Sequence, residues 1–135
     1  MATTQQIRAG IKARLDTITG LRAHTNPPDQ IDGTSAVVFR RTTTFDSTLD
    51  GESDDLTFAV TVFVPWTTDR AQEQLDPFTA GSGASSVRVA INGDPTLGGV
   101  VDWCHVTGVE RDRIVEWPVN SGIKFFTADV VIQVG

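Results

Sequence analysis

The side chains that most often carry chemistry are scarce in this chain of 135 residues. One cysteine, Cys104, excludes an internal disulfide and any cysteine-based structural zinc site. Two histidines, His24 and His105, leave little for a histidine-rich metal site. No apolar run approaches the ~18 residues of a membrane span. Residues 1–10 (MATTQQIRAG) lack the long apolar core of a signal peptide. There is no internal repeat, no Gly-rich phosphate fingerprint and no G-x-S-x-G elbow. Basic charge is also short. Eleven Lys and Arg face 17 Asp and Glu, for a net charge of −6. Strong nucleic-acid binders are usually basic, so phosphate binding by the whole surface does not fit. The composition reads as one soluble, acidic domain, residues 1–135, of a reducing compartment. A domain this long buries roughly 68% of its unfolded surface and folds without staples.

The charge is unevenly placed. Residues 1–24 hold Arg8, Lys12, Arg14 and Arg22 against Asp16, a net of +3, and the remainder holds 7 bases and 16 acids, a net of −9. Asp46, Asp50, Glu52, Asp54 and Asp55 fall within ten residues that contain no base. Such a run is either a solvated loop kept soluble by repulsion or a functional acidic surface. Its spacing lacks the alternating ligands and terminal Glu of an EF-hand.

Residues 3–20 read as a helix. Ile7, Ile11, Leu15 and Ile18 form one apolar stripe, Thr3 and Gln6 fit a capping box, and Gly20 fits the stop. Arg8, Lys12 and Asp16 lie off the stripe, facing water or a partner. Residues 25–35 are loop by composition. Residues 36–45 read as a strand with Arg40 and Arg41 inside it. Residues 55–65 form the clearest strand, with Leu56, Phe58, Val60, Val62 and Val64 on one face and Thr57, Thr61 and Phe63 on the other. The two strands and their acidic connection suggest a long hairpin. Thr67 or Thr68 can cap a second helix carrying Ala71, Leu75 and Phe78, and Pro77 predicts a break or kink near residues 74–76. Ser85 or Ser86 caps a short helix over residues 87–91. Residues 103–109, 113–117 and 123–134 read as three further strands. The fold class is α+β: an antiparallel β-sheet of about four to five strands, with an N-terminal helix and one or two further helices on one face.

Catalytic arrangements fail on geometry. Cys104 and His105 are adjacent in a strand and point to opposite faces, so they do not form a nucleophilic pair. Ser82 and Ser85 sit in a stretch of small residues, and the acidic loop carries no signal of desolvation. No catalytic, cofactor-binding or metal residue is assigned. Of the three tryptophans, Trp103 reads as core, whereas Trp66 and Trp117 suit a rim or interface nearly as well as the core.

Four stretches resemble the tail-terminator (tail-completion) proteins of long-tailed double-stranded-DNA phages: residues 7–22 (IRAGIKARLDTITGLR), 55–64 (DLTFAVTVFV), 69–78 (DRAQEQLDPF) and 86–109, with D-P-T-L-G-G at residues 94–99 the most family-like piece. With the closing strand the resemblance covers nearly the whole chain, and Pro77 departs from the unbroken helix it implies. The resemblance implies a non-catalytic virion protein, assembled in the host cytoplasm. Its copies, usually six, form a ring that caps the head-proximal end of the tail tube, stops polymerisation and docks the head-side connector. DNA passes through the lumen without specific binding, and no membrane or cofactor is involved. Assembly-interface candidates are Arg40, Arg41, Asp46, Asp50, Glu52, Asp54, Asp55, Trp66 and Trp117. A head-side stopper or tail-tube subunit of the same virion is the near alternative. A small cytosolic enzyme or binding module is the alternative of another class.

Overall fold

The computed structural model describes residues 3–31, 33–44, 55–66 and 70–135. Its first helix, α1 (Thr4–Leu15), starts at a reciprocal cap. The Gln6 amide donates to Thr3 Oγ1 at 3.1 Å, and the Thr3 amide donates to Gln6 Oε1 at 2.8 Å. The helix ends five residues before the expected stop at Gly20. Thr17, Ile18 and Thr19 are β-branched and hold a helix poorly, so the chain continues in turns. Ile18 is still buried beside Ile7, Ile11 and Leu15.

One sheet organises the rest, in the order β1-β2-β3-β5-β4. β1 (Arg22–His24) pairs parallel to β2 (Ser35–Thr44), and all other pairs are antiparallel. β2 and β3 (Asp55–Pro65) form the expected hairpin, paired from Ser35↔Phe63 to Thr44↔Asp55. β1 had no sequence signal, because three residues are too few for an alternating pattern. The two separate strands expected over residues 103–117 are one long strand, β4 (Cys104–Glu116). Bulges between Val106 and Gly108 and between Glu110 and Arg113 interrupt its alternation, which is why the pattern looks like two pieces. β5 (Lys124–Val134) sits between β3 and β4.

The helices share one face of the sheet, as the α+β reading expects. α2 (Ala71–Thr79) and α3 (Val87–Asn92) join α1 over Phe58, Val60, Val62, Ala128, Val130 and Ile132. Pro77 does not break α2. Its missing N–H leaves the Glu73 carbonyl without the usual helix bond, yet the helix runs on to Thr79. Ser86 caps α3, its hydroxyl accepting from the Val89 amide at 3.3 Å.

Residues 94–99 lock α1 to α3. Asp94 Oδ2 accepts from the Gly98 amide at 2.9 Å, and Leu97, Gly98 and Gly99 all have positive φ. Glycine is the residue that takes this left-handed backbone without strain. The turn drives Leu97 into the core against Gly10, where an added Cβ would lie 3.0 Å from Leu97 Cβ. From the other side, Arg14 Nε donates to the Ala90 carbonyl at 2.8 Å.

Candidate assembly surface

The sequence candidates fall into three groups. Asp46, Asp50, Glu52 and Asp54 lie outside the described residues. They belong to the connection, residues 45–54, that joins the last register pair of the hairpin, Thr44↔Asp55. Arg40 and Arg41 lie on the described backbone of β2 at a bulge, with Arg40 opposite Phe58. The bulge shifts the facing of the residues that follow. Asp55 opens β3.

The two tryptophan candidates differ in setting. Trp66 follows β3 and is 42% exposed, and its amide donates to the Lys124 carbonyl at 3.0 Å. Trp117 is half-buried. Its ring meets Phe63 edge-on at 5.8 Å, and its Nε1 donates to the Pro28 carbonyl at 3.0 Å. This contact holds Pro28 beside a small apolar cluster of Ile31, Val37, Phe63 and Phe125, against which Trp117 packs. Trp103, expected in the core, is 41% exposed and stacks on His105 with 5.3 Å between ring centres. The reason is its place: it precedes β4, and its backbone pairs with Gly135 at the sheet's corner.

The basic charge of the N-terminal segment is partly used inside the fold. Arg14 is tied to α3, and Lys12 Nζ sits 2.8 Å from Asp16 Oδ2 on the exposed side of α1. Arg8 keeps a buried Nε with no hydrogen-bond partner among the described residues.

Cys104 and His105 take opposite sides of β4, as strand alternation requires. Burial, with a smaller push from the Asp94 charge, raises the Cys104 thiol to about 11. Such a thiol stays protonated and weakly nucleophilic at neutral pH. Among the described residues, no three His, Cys, Asp or Glu side chains converge as metal ligands would, and no helix is long and apolar enough to cross a membrane.

No protein-family model and no curated protein matches this chain. The likeness to tail-terminator proteins therefore stands on the residues themselves. The most family-like of these, residues 94–99, have a packing role: they hold α1 and α3 in place.

Sequence reasoning missed a set of exposed apolar residues on β4 and its hairpin: Val109, Ile114, Val119 and Ile123 are 41–80% exposed. Val109 and Ile114 alternate with charged neighbours, which imitates a regular half-buried strand. Only the bulge between Glu110 and Arg113 reveals that both sit on one face.

Proposed function

We propose that this chain is a structural virion protein, a ring subunit that caps the head-proximal end of a phage tail tube. The cap ends tube polymerisation and gives the head-side connector a docking face. The observation that carries the reading is the β2–β3 hairpin. It is paired through Thr44↔Asp55, and the chain's densest acidic run is attached at that end. A ring closes through head-to-tail contacts between two different surfaces. An acidic connection on a rigid hairpin supplies one charged surface, and the N-terminal segment with Arg8 and Lys12 supplies one of opposite sign. In this reading the partners are further copies of the chain, six in the family pattern, with the tail-tube protein on one side and the connector on the other. DNA passes through the lumen, where acidic groups repel phosphate rather than hold it.

The test is tube growth in vitro. Tail-tube protein polymerised with the full chain should give ends that no longer extend, visible by electron microscopy. A chain lacking residues 49–54 should fold but leave tubes growing. Normal capping by that deletion would remove the hairpin from the reading, and tubes that extend regardless of the full chain would remove the reading itself. Virus assembled without this chain should carry overlong tails; full heads that leak DNA would indicate a stopper instead.

A further inference from the structure

We propose that the outer edge of β4 is a two-fold contact surface for a second copy of this chain, separate from the contacts that would close a ring. The strand is long, lies at the edge of the sheet, and offers backbone groups that another strand can pair with. Its first residues are taken: the Val106 amide donates to Asn92 Oδ1 of α3 at 3.3 Å. Beyond that point the strand runs on along the sheet edge to Glu116.

That remainder is self-complementary. The sequence 109–114 reads V-E-R-D-R-I. Placed antiparallel against itself about a two-fold axis at residues 111–112, it sets Val109 opposite Ile114, Glu110 opposite Arg113 and Arg111 opposite Asp112. Each charged pair joins opposite signs, and the outer pair joins two exposed apolar side chains, 41% and 48% accessible. Opposite-charge and apolar cross-strand pairs both favour such pairing.

Facing decides whether the register is physically allowed. Residues opposed across an antiparallel pair must lie on the same face, and a two-fold axis normal to the sheet preserves faces. In an unbroken strand, Val109 and Ile114 would lie on opposite faces, because an odd number of steps separates them. The bulge supplies the missing step. Val109 pairs with Val130 and Ile114 with Phe126, both on the helix-bearing side. Glu110 pairs with Asp129 and Arg113 with Thr127, both on the other side. Gly108 and Val115, the next symmetric pair, lie opposite Val131 and Phe125 on that same side. Bulges usually protect an edge strand from pairing. Here the bulge falls at the one position that makes the strand match its own copy. Arg113 already holds Asp129 at 3.3 Å and would add Glu110 of the second copy.

The experiment is sedimentation velocity on the full chain across a concentration series, at low and high salt. The wild type should form a dimer that weakens with salt. Ile114→Lys, at a position already half exposed, should raise the dimer dissociation constant about tenfold or more, as both symmetric apolar pairs are lost. Asp112→Arg should do the same by setting Arg111 against a like charge twice, and adding Arg111→Asp should restore the dimer. Unfolding midpoints close to wild type would show that the variants fold. A wild type that is monomeric throughout the series overturns the proposal. So does assembly that Ile114→Lys and Asp112→Arg leave unchanged; that outcome leaves tube capping untouched, because it is read from tube ends and not from free dimers.

Discussion

The two faces of the sheet are stabilised by different means. On the helix-bearing face, Phe58, Val60, Val62, Ala128, Val130 and Ile132 meet three helices in one apolar cluster. On the other face, no described helix packs. An apolar cluster around Phe63 and Phe125 packs against Trp117, and beside it runs a polar strip. In that strip, Thr61 Oγ1 donates to Asp129 Oδ1 at 2.8 Å, Arg113 Nη1 lies 3.3 Å from the same oxygen, and Thr127 Oγ1 donates to the Arg113 carbonyl at 3.2 Å. Apolar burial secures one side, and on the other a smaller apolar cluster is joined by directional bonds around one buried carboxylate. Buried polar groups cost stability unless they are paired, but paired they fix register. The second face therefore sets how β4 and β3 align on β5, while the first supplies most of the folding energy.

Mutation should separate the two contributions. Phe58→Ala removes a fully buried ring at the centre of the helix-bearing face and should cost about 3–5 kcal/mol in denaturant unfolding. Asp129→Ala on the other face removes an acceptor shared by Thr61 and Arg113. The expected loss is smaller, about 1–3 kcal/mol, chiefly the cost of leaving the buried Thr61 hydroxyl without that partner. It should also speed amide hydrogen exchange along β4 more than along β2. A loss equal to that of Phe58→Ala, or uniform exchange across the sheet, would break the proposed division of labour.

The same contrast explains what could be read from the sequence. The helix-bearing face was legible because its logic is periodic. Ile7, Ile11 and Leu15 mark a helix stripe, and Leu56 to Val64 and Phe126 to Val134 mark alternating strands. The other face mixes Thr61, Phe63, Thr127 and Asp129, and no period distinguishes that mixture from a solvated surface. β4 was split in two because its bulges break the alternation, and β1 was invisible because pairing, not propensity, makes it a strand. Of the break or kink that Pro77 predicts, the break is absent, since α2 continues to Thr79. Of the candidate surface, the hairpin strands were legible and the exposed apolar residues of β4 were not. Their shared face depends on a backbone irregularity that residue types do not encode.

The smallest effect concerns Cys104, a titratable group within the helix-bearing core. Burial and the Asp94 charge raise its thiol from 9.0 to about 11, so the folded state keeps the proton that the unfolded chain loses first. The stability this represents is fully present below pH 9 and is lost as pH rises through about 11. The slope is bounded by one proton, about 1.4 kcal/mol per pH unit. The chain has no tyrosine, and Cys104 is its one thiol. Cys104→Ala should therefore flatten the alkaline fall in stability between pH 9 and 11, measured against its own neutral-pH value. Asp129→Ala should leave that alkaline slope as in the wild type, because the carboxylate is on the face Cys104 does not touch. Equal flattening by both variants would mean that the two faces are electrostatically one core. Flattening by Cys104→Ala alone would mean that apolar burial on one side and directional pairing on the other respond to pH independently.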